Sequence, residues 1–217
     1  MALIPPDTIP GLLVRDLPRS LVLGVEEALE AAALRAYTVA KDMDEGHMPH
    51  AVGQMRHFHM SEAFHRALSI GDALPTPIKG NGVVTGRAGI FTVGRFNIPE
   101  GLWVNGRRSR TRRQMSLANK SIEPLVQSGL FGGYVQATDA VAFFVACFSG
   151  SLRVHPEGPV SIQIAVPNPH MTGWLFREPL TKYLSRYDTV ENAAPEDRAV
   201  PKLKKNIGTR KDGTSEQ

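Results

Sequence analysis

The chain is poor in cysteine and in long apolar runs. Its 217 residues include one cysteine, Cys147, which excludes an intramolecular disulfide framework and fits a reducing compartment. Because Cys147 lies within the apolar run 141–148, we predict a buried side chain and not a nucleophile. No run reaches the roughly 18 apolar residues of a membrane span, and the first residues do not resemble a signal peptide. We therefore expect a cytoplasmic protein of bacterial style with no membrane partner.

Signatures of common enzyme chemistries are also missing. The sequence contains no Gly-x-Ser-x-Gly motif, and Gly80-x-Gly82 is not followed by the Gly-Lys-Ser/Thr of a phosphate-binding loop. Asp139 could supply the acid of a nuclease-like site, but the next predicted strand offers only Gln163-x-Ala165 where a carboxylate and a lysine would be needed. We therefore lean against an enzyme and expect no cofactor. A metal-dependent hydrolase or a degenerate nuclease-like enzyme is the alternative.

Several histidines fall on one predicted helix, which runs from Pro49 to about Ile70: His50, His57, His59 and His65. His50 and His57 are seven residues apart, or roughly 10.5 Å along a helix, which is too far for a shared metal with bonds of about 2.1 Å. We therefore predict no metal site and a structural role for these histidines. Phosphate or base contacts and a pH-sensitive interface are the other possibilities.

The predicted fold class is α+β, with an N-terminal helical hairpin, a small mixed sheet flanked by helices, and a basic C-terminal tail. The Pro-rich residues 1–17 are expected to be irregular. Apolar residues at helical spacing predict a helix from Leu21 to about Met43, which with the histidine helix forms a hairpin over 18–74. A breaker segment at 71–77 separates this hairpin from an α/β body at 78–188. Residues 189–217 are polar, Pro-punctuated and lysine-rich, and we expect them to be disordered.

Within the body, the pattern predicts a strand or hairpin from Val83 to Asn97 and a doubly buried central strand at 140–148. Residues 160–166 alternate between apolar and polar, which predicts a third strand. A last helix is expected from His170 or Met171 to about Tyr187, interrupted at Pro179.

Positive charge is the most concentrated feature of the sequence. The net charge is +4, but residues 1–50 hold four Lys/Arg against eight Asp/Glu, and residues 51–217 hold 21 against 13. A helix predicted over 105–126 begins with five arginines in seven residues, and the nearest acids in sequence are Glu100 and Glu123. Cations at a helix N-terminus oppose the helix dipole by roughly 0.3–1 kcal/mol each. This locally unfavourable arrangement favours a polyanionic partner that neutralises the cluster.

We therefore predict a non-enzymatic nucleic-acid-binding or regulatory protein, with DNA favoured over RNA. Its phosphate contacts would come from the basic side chains Arg107, Arg108, Arg110, Arg112, Arg113 and Lys120. Trp103 could stack on a base, although a lone tryptophan more often anchors a loop to the core. The alternative is an adaptor whose arginines dock on an acidic protein surface. The apolar hairpin also makes a homodimer plausible.

Overall fold

A computed structural model of the protein describes residues 8–80, 82–126 and 137–191, with side chains up to residue 188. The fold is α+β: five strands form one mixed sheet, and helices lie on it. The predicted disordered tail lies outside the described residues, except that the last helix continues to Glu191 and so overlaps the predicted start of the tail by three residues.

Three helices form the N-terminal part: α1 Ile9–Asp16, α2 Arg19–Ala40 and α3 Met48–Ile70. The expectation of an irregular segment over 1–17 is wrong for α1, because Thr8 caps this helix and Pro10 fits its first turn. The apolar spacing in α2 is confirmed, since Leu21, Val25 and Leu29 are all buried. None of the described helices is long and apolar enough to cross a membrane.

The sheet contains β1 Thr85–Ala88, β2 Phe91–Pro99, β3 Ala140–Phe148, β4 Ser161–Pro167 and β5 Trp174–Pro179, in this spatial order. Strands β2 and β3 are parallel, and the other neighbours are antiparallel. The predicted central strand is confirmed, because every residue of β3 is buried. A parallel pair needs a crossover, and here residues 100–139, which include the arginine cluster, connect β2 to β3.

The structure decides between two predicted forms of one segment and corrects the prediction for another. Of the strand or hairpin predicted for Val83–Asn97, the hairpin is confirmed, because Gly89 turns the chain with a φ angle of +53°. The helix predicted from His170 or Met171 is wrong for its first part, since Trp174–Pro179 is strand β5, paired with β4. Helix α5 begins only after Pro179, at Leu180, and ends at Glu191.

Both faces of the sheet are covered. The N-terminal helices and α5 pack on one face, where Phe64 and Phe144 meet with ring centroids 6.0 Å apart. Trp103, Met115 and Ala118 from the first part of the crossover pack on the other face, against Phe96, Phe143 and Val145. The arginine cluster therefore stands on the face opposite the helical hairpin.

The single basic helix predicted over 105–126 is wrong. Its residues form a 3-10 helix at Trp103–Arg108, helix α4 at Arg110–Ser116, and two further 3-10 turns at Leu117–Ser121 and Glu123–Leu125. Ser109 starts α4 by accepting a hydrogen bond from the Arg112 amide at 3.3 Å. Buried Asn119 then holds the chain to the sheet, bonding Val141 and the Pro167 carbonyl. The segment therefore consists of short helical pieces and not of one continuous helix.

Candidate nucleic-acid interface and an adjoining arginine pocket

Most of the predicted basic cluster is exposed at the surface of the crossover, namely Arg107, Arg108, Arg110, Arg113 and Lys120. Among the described residues, no carboxylate lies within 4.0 Å of any of these five side chains. Their positive charges are therefore not balanced locally. This is the surface that we call the basic crossover.

The backbone conformation of the basic crossover differs from the predicted helix N-terminus. Arg107 and Arg108 lie in the last turn of a 3-10 helix and do not begin an α-helix. The carbonyl end of a helix favours cations, so the predicted dipole penalty is wrong for these two residues. Arg110 and Arg113 lie in α4, which has only seven residues.

Arg112 differs from its neighbours because its guanidinium turns inward. Nε donates to the Gly106 carbonyl at 2.8 Å, and the guanidinium carbon lies 4.5 Å from the centre of the Phe96 ring. Burial lowers the pKa of Arg112. These contacts hold the crossover on the sheet, so Arg112 is not part of the exposed surface with Arg110 and Arg113.

Trp103 also packs within the protein. Its ring is half-buried and meets Trp174 edge-on, with ring centroids 5.0 Å apart. The Arg177 guanidinium lies over the same ring at 4.5 Å. Because these side chains already contact the indole, its position favours the anchoring role over base stacking.

A shallow groove runs beside the exposed part of α4. It has a volume of about 420 Å³ and is lined by Arg110, Arg113, Gln114, Leu117, Pro169 and His170. Two of the unpaired arginines therefore border a surface depression, and a histidine from the loop after β4 lines it with them.

A second cavity, which we call the arginine pocket, was not predicted from the sequence. It has a volume of about 350 Å³ and lies where α3, β2 and the start of α4 meet. Its deepest charged residue is Arg95, which is only 8% exposed. The guanidinium of Arg95 donates to the His57 carbonyl and the Ser61 hydroxyl, each at 2.8 Å, and to Asn97 Oδ1 at 3.0 Å.

The charge of Arg95 has no carboxylate partner within 4.0 Å among the described residues. Burial alone lowers the pKa of Arg95 to about 10, so the side chain is still protonated at neutral pH. A buried charge without a counterion costs on the order of several kcal/mol, which neutral hydrogen-bond acceptors offset only in part. The sequence contained a signal for this site, because Arg95 follows Phe91 and Val93 on the core-facing side of β2.

Two further cationic or titratable side chains line the arginine pocket, Arg112 and His57. Burial, and then the charge of Arg95, lower the pKa of His57, which favours the neutral imidazole at pH 7. The lining also contains the polar side chains of Ser61, Asn97 and Ser109. The lining is thus rich in hydrogen-bond donors and contains no carboxylate.

The other candidate residues do not come together. Among the described residues, no three histidine, cysteine, aspartate or glutamate side chains could hold one metal ion. Asp139 pairs with Arg87 at 2.7 Å on the surface beside β3. The predicted burial of Cys147 is confirmed at 1% exposure, and burial raises the pKa of its thiol. His57 is the histidine of α3 that lines the arginine pocket.

No protein-family model matches the chain, and no curated protein or solved structure is significantly similar to it.

Proposed function

We propose that this protein binds nucleic acid, with DNA as the first candidate, through the basic crossover. The observation that carries the proposal is the set of four exposed arginines, Arg107, Arg108, Arg110 and Arg113, with no acidic partner among the described residues. A polyanion neutralises such a surface and releases condensed counterions as it binds.

The shape of the surface supports a backbone contact. The groove beside α4 places Arg110 and Arg113 along one side of a depression that a phosphodiester chain can follow. Lys120 adds a fifth exposed cation after the end of α4. Arg112 and Trp103 are left out of the proposed contacts, because Arg112 turns inward from the exposed surface and Trp103 packs edge-on against Trp174.

The decisive experiment is fluorescence anisotropy with labelled duplex DNA, single-stranded DNA and RNA over a salt series. If the five exposed cations each neutralise one phosphate, affinity should fall roughly 500-fold between about 50 and 200 mM salt. Changing Arg107, Arg108, Arg110 and Arg113 to Gln should remove about four units from the slope of log affinity against log salt.

A matched pair of double variants distinguishes binding at this site from a general effect of the protein's net charge. Arg110→Gln with Arg113→Gln should lower the slope by about two units. Arg35→Gln with Arg66→Gln removes the same charge from exposed positions on α2 and α3 and should leave the slope unchanged. Equal losses in the two pairs, or no binding at low salt, would contradict the proposal and favour an acidic protein partner.

Two narrower expectations stay predictions. A homodimer through the hairpin would use the outer groove between α2 and α3, a depression of about 450 Å³ lined by small residues such as Gly24, Ala28 and Ala63. A cytoplasmic location would fit the reduced state expected for the one cysteine. Neither expectation contributes to the nucleic-acid proposal.

A further inference from the structure

The arginine pocket occupies a notch at the edge of the sheet. Strand β1 pairs with β2 only as far as Thr85 opposite Gly94, whereas β2 continues to Pro99. The chain just before β1, including Gly82 and Val84, leaves the sheet edge and forms one side of the notch. Helix α3 closes another side, and Arg95 lies in this recess on the stretch of β2 that pairs with β3 but has no partner in β1.

The charges in this recess have no acidic partner among the residues that the structure describes. Arg95 and Arg112 both line the recess, and no carboxylate of the described residues is within 4.0 Å of either guanidinium. Arg95 uses three of its five N–H donors on the His57 carbonyl, Ser61 and Asn97. These acceptors fix the plane of the guanidinium, which is how a protein preorganises an arginine for a ligand.

From this geometry we propose that the arginine pocket binds a phosphate group, either free or carried by a small molecule. Arg95 and Arg112 both line the pocket, and a phosphate monoester carries roughly −1.5 to −2 at pH 7, which matches the combined charge of the two side chains. A monocarboxylate would balance only one. The hydroxyls of Ser61 and Ser109 and the imidazole of His57 offer further hydrogen bonds to phosphate oxygens.

The arginine pocket and the basic crossover are expected to bind different ligands. The pocket's volume of about 350 Å³ suits a small ligand. The deep position of Arg95, at 8% exposure, places it out of reach of a duplex that lies on the surface. The proposal therefore does not depend on nucleic-acid binding, and the two can fail independently.

Calorimetric titration of the full chain with inorganic phosphate tests the proposal, at ionic strength held constant with chloride. The natural chain should bind phosphate saturably, and Arg95→Met should weaken binding by about tenfold or more, because a charge-assisted hydrogen bond is lost. A matched control is Arg56→Met. Arg56 is another buried arginine, at 9% exposure, but it stacks on Phe148 outside the pocket, and its loss should leave phosphate affinity within about twofold.

A second variant tests the same proposal if Arg95→Met does not fold. Asn97→Asp is nearly isosteric and places a carboxylate where Asn97 Oδ1 now accepts from Arg95 at 3.0 Å. This internal counterion should compete with phosphate, so the variant should bind it at least tenfold more weakly while melting at an equal or higher temperature.

Titrations with other ligands identify which kind of molecule carries the phosphate. Binding of inorganic phosphate and of a simple phosphate monoester, with acetate much weaker, supports the proposal. A 5′-phosphorylated oligonucleotide that binds through Arg95 would identify the group as a nucleic-acid end. No saturable binding of any of these up to about 10 mM, or equal binding by Arg95→Met and the natural chain, overturns it. The four-arginine variant of the basic crossover should still bind phosphate, which separates the two proposals.

Discussion

Gly89 shows how one residue sets the path of the chain at the sheet edge. It turns the chain between β1 and β2 with a φ angle of +53°, a region that L side chains rarely adopt. A Cβ atom at this position would lie 2.4 Å from Cγ of Asp16, whose carboxylate accepts a hydrogen bond from the Ile90 amide at 3.0 Å. The tight turn and the contact with α1 therefore both require glycine.

We expect Gly89→Ala to lower the free energy of unfolding by about 1–3 kcal/mol, through backbone strain and displacement of Asp16. Urea unfolding measures this change. The control is Gly24→Ala in α2, where a Cβ atom meets nothing within 4 Å and the helix should gain roughly 0.5–1 kcal/mol. If both variants shift stability in the same direction, the structural role given to Gly89 is wrong.

The arginines of the candidate site differ in how well the sequence predicts their orientation. Exposure of Arg107, Arg108, Arg110 and Arg113 agrees with their charge, because desolvating a cation is costly. The inward turn of Arg112 could not be read from the sequence, since it depends on the position of the Phe96 ring, sixteen residues earlier.

At the level of elements, the junction of β5 and α5 is held by one buried carboxylate. Glu178, with its side chain 4% exposed, accepts hydrogen bonds from Arg186 Nε at 2.6 Å and Nη2 at 3.0 Å, and Lys182 Nζ lies 2.9 Å away. Burial alone would raise the pKa of Glu178, but the bonds from Arg186 and Lys182 lower it below its ordinary value of 4.5. The ionised carboxylate therefore stabilises the folded state.

This arrangement predicts a pH-dependent stability. Because the folded-state pKa is lower than the unfolded one, the stabilisation is complete above pH 4.5 and is lost as pH falls through the folded-state value. Glu178→Gln should cost about 1–2 kcal/mol at pH 7, and its difference from the natural chain should shrink below pH 4.5. Chemical unfolding over a pH series measures both effects.

The control for this series is Glu62→Gln, which changes an exposed carboxylate of α3 with no ion partner among the described residues. Its effect should stay within about 0.5 kcal/mol at every pH. A difference for Glu178→Gln that is constant from neutral to acid pH would show that the carboxylate does not act through its ionised form.

Elements also show where sequence patterns succeed and where they fail. The predicted spans of α2, α3 and β3 agree with the structure to within a few residues, because periodic or continuous apolar residues mark them. The sequence pattern wrongly predicts a helix at strand β5, since its six residues are too few to show a period and its identity depends on pairing with β4.

For the whole molecule, one hydrophobic cluster joins the N-terminal helices, the sheet and α5, with Leu13, Leu29, Phe64, Phe144 and Tyr183 among its buried members. The Tyr187 hydroxyl also donates to the Leu17 carbonyl at 2.5 Å, which ties the last described helix to the first part of the chain. A shared core of this kind couples the helical hairpin to the sheet.

We therefore expect the hairpin and the body to unfold in one transition. Far-ultraviolet circular dichroism reports mainly on the helices, whereas the two tryptophans, Trp103 and Trp174, report on the opposite face of the sheet. The two signals should change at the same urea concentration. Phe144→Ala, which removes a side chain from the core, should move both midpoints together and cost about 3–5 kcal/mol. Separate midpoints would show that the hairpin is an independent domain.

The sequence by itself determined the fold class, the two long N-terminal helices, the buried central strand and the concentration of charge at 107–113, because composition and local periodicity carry this information. Only the tertiary structure decided that the first part of the crossover packs on one face of the sheet, that Arg112 turns inward, and that Arg95 faces α3 with no carboxylate within 4.0 Å among the described residues. These features depend on contacts between residues far apart in the chain, such as Arg95 with Ser61, and no local pattern specifies such contacts.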